Sequence, residues 1–298
     1  MTRTTFPRSL ARKLYRHSQA VRRAREENRF RPRLRTDPRA PELLLSPHLD
    51  DAVLDCWSVL ASNRELNVVN LFAGVPTSGL LTGWDAITGA SDSAERARER
   101  IAEDVVALAC ANRTPLNLPL LDAQYRPSPS ALSLDELDQA LTAKIERASR
   151  VYVTAGIGSH ADHVLARRYG RMLLRTGMPV TLYAELPYCI AHGWPSWVDG
   201  REPNPNRNVD AFWLSSLEGV PEIASLRSAK VERLDPPTAI AKLKAMRCYE
   251  TQFPCLNYGA RHLLDDPAIH GFEVRWELVR GSDRDDRSRA SASQGATA

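Results

Sequence analysis

The segment from Glu42 to Cys56, ELLLSPHLDDAVLDC, constrains the fold of this chain more than any other. Its three consecutive leucines, Leu43 to Leu45, predict a short buried strand, and the Ser-Pro pair after them ends it. An apolar run that is compatible with a helix begins at Ala52. In open α/β sheets, ligands bind at such strand-to-helix turns, because these turns lie at the carboxyl ends of the strands. This turn carries an imidazole and two carboxylates, from His48, Asp50 and Asp51.

Predicted strands and helices alternate along residues 42–188, which indicates an α/β fold with a mostly parallel, doubly wound sheet. One strand is predicted at 151–154, and the helix after it is expected to stop at Gly177. Two further strands, predicted at 230–234 and 272–278, are expected to extend the same sheet. Long loops are predicted at 75–92 and 189–210.

A second polar cluster, GIGSHADH, follows the strand predicted at 151–154. Its two histidines, His160 and His163, are three residues apart, so both can project from one side of the first turn of a helix. The cluster therefore repeats the arrangement at His48, in which polar side chains follow the end of a strand.

Two histidines and one carboxylate suit a catalytic zinc ion that keeps one position open for water. His48, Asp51 and His163 would form such a set, and Asp50 would remain free to accept a proton from that water. The metal would lower the pKa of the water and polarise a substrate carbonyl. The residues therefore predict a metal-dependent hydrolase, although a His/Asp site could also hold iron(II), manganese or nickel.

Each motif taken alone has a structural alternative. An Asp-Asp pair before a helix is often a cap, and a histidine after a strand is often a hydrogen-bonded structural residue. The occurrence of both motifs, each at the end of a predicted strand, favours the metal site.

The two motifs together resemble the LmbE-like, or PIG-L, de-N-acetylase superfamily, whose usual motifs are Pro-His-Pro-Asp-Asp followed by Glu, and His-x-Asp-His. The matching segments are PHLDD at 47–51 and HADH at 160–163, and the resemblance covers about residues 40–280. It implies a Rossmann-like fold and zinc-dependent hydrolysis of an N-acyl group, commonly acetyl on an amino sugar. Leu49 replaces the second proline of the first motif, and Gly158 stands where some members have a catalytic tyrosine.

The resemblance also implies roles for individual residues. Asp50 matches the general base, and His160 matches the residue that stabilises the tetrahedral oxyanion. Asp162 matches the carboxylate that orients or tunes His160. The residues that match the metal ligands are His48, Asp51 and His163. Softer matches predict substrate contacts by Arg100, Asp122, Tyr125, Arg126 and Tyr188.

Structural alternatives stay open for these substrate contacts. Arg100 and Glu103 could instead form an ion pair on a helix surface. Turn packing also accounts for Tyr125, Arg126 and Tyr188.

Positive charge is concentrated at the N-terminal end of the chain. Residues 1–40 hold 13 arginines and lysines against three acidic residues, although the whole chain has a net charge of only +4. Such an extension can bind nucleic acid or an anionic membrane. It has only three aromatic side chains, so a solvated helix at 9–27, lying against the domain or a partner subunit, is favoured over a nucleic-acid-binding arm.

We therefore expect three parts: a basic extension at 1–40, an LmbE-like domain at 41–280 and a disordered tail at 281–298, which lacks large aliphatic and aromatic side chains. No apolar run approaches the length of a membrane span, and the N-terminus lacks the apolar stretch of a secretory signal. The five cysteines show no C-x-x-C spacing, which favours a reducing, cytoplasmic setting. The sequence leaves the oligomeric state open.

The sequence predicts a cytoplasmic, zinc-dependent hydrolase that removes an acyl group, chiefly acetyl, from the nitrogen of an amino sugar in a small glycosylated metabolite. One alternative is an amidase for a cysteinyl-sugar thiol conjugate or for an acylated amine without a sugar, because the loops at 75–92 and 189–210 would set specificity. Another is a nucleic-acid- or anion-binding protein that uses residues 1–40 and keeps a vestigial metal site. We disfavour the latter, because every ionisable residue that the chemistry needs is present.

Overall fold

The computed structural model describes residues 36–129, 131–202 and 205–279. The helix predicted at 9–27 and the tail predicted at 281–298 lie outside these residues, as does almost all of the basic extension predicted at 1–40. Within the described residues, no helix is long and apolar enough to cross a membrane.

Seven strands form one sheet in the order β3-β2-β1-β4-β5-β7-β6. The five strands from β3 to β5 are parallel, whereas β7 pairs antiparallel with both β5 and β6. The last two strands therefore extend the sheet, as the sequence predicted. The strands are β1 (Glu42–Ser46), β2 (Leu66–Asn70), β3 (Pro115–Asn117), β4 (Val151–Thr154), β5 (Val180–Tyr183), β6 (Lys230–Arg233) and β7 (Phe272–Glu277).

Helices cover both faces of this sheet and connect its strands. The described residues contain α1 (Asp51–Asp55), α2 (Trp57–Leu60), α3 (Gly83–Ile87), α4 (Ser93–Ala109), α5 (Leu134–Ile145), α6 (Ala161–Thr176), α7 (Ser196–Asp199), α8 (Val209–Leu217), α9 (Pro236–Met246), α10 (Phe253–Gly259) and α11 (Pro267–His270). Short 3-10 turns lie at Ala123–Tyr125, Tyr188–Ile190, Leu226–Ser228 and Leu263–Asp265. The predicted α/β fold with a mostly parallel, doubly wound sheet is confirmed.

The strand order reverses direction between β1 and β4, and this position determines where a ligand can bind. The connections from β1 run outward to β2 and β3, and those from β4 run the opposite way to β5. Such a reversal opens a crevice at the carboxyl ends of the two central strands. Leu43, Leu44 and Leu45 of β1 are at most 2% exposed, so the core holds this strand firmly beneath the crevice.

The helix that follows β4 packs unusually close to it. A Cβ atom on Gly170 of α6 would lie 2.5 Å from Cγ1 of Val153, so only glycine allows this approach. The helix ends at Gly177, whose φ of 104° gives the left-handed stop that the sequence predicted. Close packing at one end and a defined stop at the other fix the first turn of α6 relative to the sheet.

A buried charge network joins the antiparallel end of the sheet to the start of α2. Glu273 of β7 is 2% exposed, and its Oε1 accepts hydrogen bonds from the Trp57 N–H at 2.6 Å and from Lys242 Nζ at 3.1 Å. Nearby, Asp55 Oδ1 accepts a hydrogen bond from the Leu186 N–H at 2.7 Å. These bonds hold the short helix α1, which carries Asp51, in place from both sides.

The two predicted long loops contain more structure than expected. Residues 75–92 include α3, whose N-cap Thr82 accepts a hydrogen bond from the Asp85 N–H. Residues 189–210 include α7, with Trp194 5% exposed and packed near Trp213, the ring centroids being 6.0 Å apart. Their many Pro, Gly and Asn residues suggested open loops, but buried tryptophans anchor the second loop to the core.

Candidate active site

The two polar motifs meet in the crevice between β1 and β4. Nδ1 of His48 lies 3.1 Å from Nε2 of His163. Oδ2 of Asp51 lies 3.3 Å from that Nε2 and 3.4 Å from that Nδ1. Tetrahedral zinc with bonds of about 2.0–2.1 Å places its ligand atoms about 3.3–3.4 Å apart. The donor atoms therefore match, in type and spacing, three corners of a zinc coordination tetrahedron.

A buried carboxylate stands behind each of the two histidines in this triangle. Nε2 of His48 lies 3.2 Å from Oδ2 of Asp162, and Nδ1 of His163 lies 3.5 Å from Oε1 of Glu185. Both carboxylate side chains are fully buried. A carboxylate on the far nitrogen fixes the tautomer and the orientation of a metal-binding imidazole. The sequence analysis missed Glu185, although an acidic residue at the end of the strand beside β4 was a usable signal.

The predicted partner of Asp162 is corrected by the structure. Within the described residues, its carboxylate bonds to His48, to the Ala123 N–H at 2.8 Å and to the guanidinium of Arg126. No hydrogen bond joins it to His160 there, whose buried Nδ1 has no partner. Because Ala123 and Arg126 hold the carboxylate on the side of His48, Asp162 orients that histidine instead.

Other donor sets that include His48 are less compact. One set adds nitrogen atoms of His160 and His163, and the other adds oxygen atoms of Asp122 and Asp162, all within 4.8 Å of one another. The first set lacks a carboxylate, and in the second Asp162 is already bound by an arginine and a backbone N–H. The predicted triangle fits a metal ion better than either.

The two adjacent aspartates differ in acidity. Burial and then the charge of Asp51 raise the pKa of Asp50 to about 6. Burial alone would also raise the pKa of Asp51, but the facing imidazoles of His163 and His48 hold it well below its usual range. Asp51 is therefore a permanent anion, whereas Asp50, which lines the cavity, can exchange a proton near neutral pH.

The three histidines also have different pKa values. Burial opposes the charged form of His163, yet Asp51 raises its pKa to about 9, and neighbouring carboxylates likewise raise that of His48. Burial and then the neighbouring histidines lower the pKa of His160 to about 4. The centre of the site thus attracts positive charge, whereas His160 at its edge is a neutral imidazole that can donate one hydrogen bond.

A cavity of about 450 Å³ opens above this cluster. Four of the five predicted substrate contacts line it, and these are Arg100, Asp122, Tyr125 and Tyr188. Its outer wall includes Trp84 from α3 and Leu256 from α10, which the sequence analysis did not identify. The volume far exceeds that of an acetamide group and leaves room for a larger substrate.

Arg100 is buried, so the alternative of a surface ion pair with Glu103 is wrong. Its NH2 lies 3.0 Å from Oδ1 of Asp85, and the hydroxyl of Tyr125 donates to Oδ2 of the same carboxylate at 2.9 Å. Glu103 instead accepts hydrogen bonds from Thr251. Asp85 therefore joins two cavity-lining residues and ties α3 to α4.

Arg126 does not line the cavity, so its predicted contact with substrate is corrected. Its guanidinium donates to the carbonyls of Leu121 and Pro129, each at 3.0 Å, and to Asp162. The group also lies over the ring of Phe72, 5.4 Å from its centroid. Its place in the structure is to hold Asp162 against His48.

Tyr188 occupies space that a side chain at position 158 would otherwise fill. A Cβ atom on Gly158, whose φ is +82°, would lie 2.9 Å from Cβ of Tyr188. The ring centroid of Tyr188 is 5.2 Å from that of His163 and 5.8 Å from that of His160. Burial and then the neighbouring carboxylates raise the pKa of Tyr188, so its hydroxyl stays a donor at neutral pH.

The chain is similar to known deacetylases. No protein-family model matches it. It is 25% identical to a 2'-N-acetylparomamine deacetylase of Niallia circulans over 187 residues, which cover 50% of this chain and 68% of that protein. A deacetylase triple mutant from the teicoplanin biosynthetic pathway superimposes with a TM-score of 0.61 and 26% identity, covering 82% of this chain and 99% of that one. The A40926 pseudoaglycone deacetylase Dbv21 shares the fold, with a TM-score of 0.57 and 24% identity over 81% of this chain and 98% of its own.

These relatives are deacetylases, and the enzymatic activity predicted for this chain is confirmed at that level. They also share the sheet that brings the two motifs together. The paired motifs, the fold and the relatives identify the chain as a natural-product deacetylase of the LmbE-like, or PIG-L, superfamily.

Proposed function

We propose that this protein is a divalent-metal-dependent hydrolase that removes an acetyl group from the nitrogen of an amino sugar in a glycosylated natural product. The observation that carries the proposal is the triangle of donor atoms, 3.1–3.4 Å apart, with Asp50 beside it in the cavity wall. The proposal is also supported by relatives that act on acetylparomamine and on a glycopeptide pseudoaglycone.

Zinc is the metal that the donor set fits best. Nδ1 of His48, Oδ2 of Asp51 and Nε2 of His163 would hold the ion, while Asp162 and Glu185 orient the two imidazoles. When bound, the ion acts as a Lewis acid that polarises the amide carbonyl and lowers the pKa of water. Other divalent ions can use the same donors, so metal content is part of the test.

The proton transfers in this mechanism belong to Asp50. Its carboxylate lines the cavity next to the triangle, where it accepts a proton from the attacking water and returns it to the leaving amine. A pKa of about 6 suits both steps, because an efficient acid–base group titrates near the working pH. Such a group contributes roughly 10²- to 10⁴-fold to the rate.

The developing oxyanion needs a donor in addition to the metal. His160 lines the cavity and its ring centroid lies 4.8 Å from that of His48, so a neutral imidazole faces the reacting carbonyl. A hydrogen bond that forms fully only in the transition state lowers the barrier by about 3–4 kcal/mol. Asp122 and Tyr188 line the same cavity and are available to the sugar hydroxyls.

The proposal is tested by measuring acetate release from a panel of acylated amines. The panel contains N-acetylglucosamine, an N-acetylated aminoglycoside, an N-acetylglucosaminide with a large aglycone, a cysteinyl-sugar thiol conjugate and a simple N-acetyl alkylamine. We expect release from the amino-sugar glycosides, loss of activity with a chelator and recovery with zinc. Hydrolysis of the thiol conjugate or the alkylamine alone would assign the enzyme to a different substrate class.

The Asp50→Asn variant separates proton transfer from metal binding. We expect its turnover to fall by about 10³-fold, while its metal content stays that of the unsubstituted protein. An equal loss of metal would contradict the role given to Asp50. An Asp199→Asn variant, which changes a carboxylate in α7 outside the cavity, is the matched control.

A further inference from the structure

A second cavity, of about 290 Å³, lies beside the catalytic one. The two cavities share Pro187, Tyr188 and Gly259 in their walls. The ring of Tyr188 therefore stands between the metal-binding cluster and this second space. A substrate whose amide reaches the catalytic cluster can extend past the tyrosine into the neighbouring cavity.

The second cavity is lined by basic side chains. Arg207, which is half-buried, and Arg261, which is exposed, both contribute to its wall, together with His192. Among the residues that the structure describes, no carboxylate lines this cavity, and neither arginine has an ion-pair partner. Two unneutralised guanidinium groups beside apolar walls create a positive potential that attracts anions.

The basic residues are attached to fixed parts of the fold. Arg261 follows α10 with a φ of 57°, and its N–H donates to the Tyr258 carbonyl at 2.9 Å. His192 stacks on Phe212, with centroids 4.8 Å apart and planes 23° from parallel. Nδ1 of His192 is buried without a hydrogen-bond partner within the described residues. A buried polar atom without a partner is costly, which indicates that a ligand completes its hydrogen bonding.

The two adjacent cavities carry opposite charge. The catalytic one is lined by the carboxylates of Asp50, Asp51 and Asp122, and the second one by arginines. A polycationic aminoglycoside would place ammonium groups near Arg207 and Arg261, which is electrostatically unfavourable. An amino sugar linked to an acidic aglycone would match both cavities.

We propose that the second cavity is a subsite for an anionic group, a carboxylate or a phosphate, on the aglycone of the acetylated amino sugar. This inference rests on the proposed function and narrows its substrate class. Guanidinium groups recognise both anions through paired, charge-assisted hydrogen bonds, so the arginines suit either group. The anion would orient the substrate so that its amide reaches the catalytic cluster.

The test compares three glycosides of N-acetylglucosamine on the zinc-loaded, full-length protein. The carboxymethyl glycoside carries a carboxylate, the carbamoylmethyl glycoside is its neutral isostere, and N-acetylglucosamine 1-phosphate carries a phosphate. Each is measured with the unsubstituted enzyme, the Arg207→Ala/Arg261→Ala double variant and an Arg201→Ala control, whose exposed side chain does not line either cavity.

We expect the double variant to lose about 10-fold or more in kcat/KM, mainly through KM, for one or both anionic probes. The carbamoylmethyl glycoside and the Arg201→Ala control should show no change, which also establishes that the variant is folded. The anion with the larger loss identifies the preferred group. Equal kcat/KM for charged and neutral probes, or equal losses for all three in the double variant, would overturn the subsite.

Failure of the proposed function would look different, because no probe would then release acetate. In that case calorimetric binding of the carboxymethyl glycoside and of N-acetylglucosamine 1-phosphate decides the matter. Weaker binding by the double variant than by the unsubstituted protein supports the subsite independently of catalysis. Binding of equal strength, or no binding to either protein, contradicts it.

Discussion

The metal-binding end of the catalytic cavity and its outer wall are built in different ways. The metal-binding end consists of residues that directly follow the two central strands, with donor atoms 3.1–3.4 Å apart. The outer wall comes from α3 and α10, which are distant in sequence and held together by contacts such as that of Cys255 Sγ with the Ile87 carbonyl at 3.6 Å. The comparison teaches that the chemistry is encoded locally, whereas substrate selection depends on tertiary packing.

Rigidity also differs between the two ends. Asp51 and His163 at the metal-binding end are at most 3% exposed and are surrounded by further buried carboxylates. The outer wall instead presents apolar side chains to solvent, including Leu81 at 47% and Ile87 at 68% exposed. We therefore expect substitutions at the first end to affect metal binding and all substrates alike. Substitutions at the second should discriminate between substrates.

The largest effect is expected from His163→Ala. Removal of one of three donors should reduce bound metal from one ion per chain to nearly none, and abolish acetate release with every substrate. The loss of affinity should exceed the roughly 10- to 100-fold that is typical of losing an outer partner of a ligand. Metal analysis after dialysis measures this. Retention of stoichiometric metal would exclude His163 as a ligand, and His262→Asn, an exposed position with a φ of 62°, is the control.

A smaller effect at the same end is expected from Glu185→Gln. Because Glu185 lies 3.5 Å from Nδ1 of His163, the amide should orient the imidazole less well, and metal affinity should fall by about 10- to 100-fold. Competition with a chromogenic chelator measures the affinity. The control is Glu222→Gln, which breaks an ion pair with Arg171 instead. Unchanged metal affinity in Glu185→Gln would assign Glu185 a purely structural role.

The outer wall is examined with Trp84→Ala. This half-buried ring lines the cavity, so its removal should raise KM about 10-fold for a glycoside with a large apolar aglycone, as loss of aromatic contact area predicts. KM for N-acetylglucosamine itself and the metal content should remain unchanged. A uniform loss for both substrates would contradict the separation between the two ends. Leu214→Ala, on the exposed surface of α8, is the control.

The smallest effect concerns stability beneath the cavity. Burial raises the pKa of Asp104 to about 7, and its carboxylate accepts hydrogen bonds from Asn70 Nδ2 at 2.6 Å and the Tyr249 hydroxyl at 2.8 Å. The folded protein therefore binds this proton more tightly than the unfolded chain, so its contribution to stability is lost as the pH rises from about 4 through about 7.

The Asp104→Asn variant lacks this titration. Relative to the variant, the unsubstituted protein should lose on the order of 2 kcal/mol of unfolding free energy between pH 5 and pH 8. Urea denaturation of both proteins at the two pH values measures the difference. A stability difference that does not change with pH would show that Asp104 keeps its charge when buried.

The metal-binding end could be predicted because its residues occupy contiguous motifs at strand ends. Leucines 43–45 predicted β1, and the parallel alternation placed His48 and His163 at the same edge of the sheet. The same reasoning could not reveal which carboxylate faces which imidazole. Asp162 was assigned to the wrong histidine, because its orientation depends on Arg126 and Ala123, which lie more than 30 residues away.

The outer wall was harder to predict, because no local pattern distinguishes a wall residue from an ordinary core residue. Asp85 reads as part of a Thr/Ser/Gly-rich loop, and only the fold brings it to Arg100 and Tyr125. Arg207 and Arg261 likewise gave no signal, since they are more than 50 residues apart and meet only at the second cavity. Sequence reasoning therefore reached the reaction class before it reached the substrate.

The central claim is that His48, Asp51 and His163 share one divalent ion. Anomalous diffraction at the zinc edge, from crystals of the protein grown with one equivalent of zinc, tests it most directly. We predict a single peak within coordination distance of His48 Nδ1, Asp51 Oδ2 and His163 Nε2. A peak bound instead by His48 Nε2 with Asp122 and Asp162, or by the three histidines without Asp51, would contradict the account.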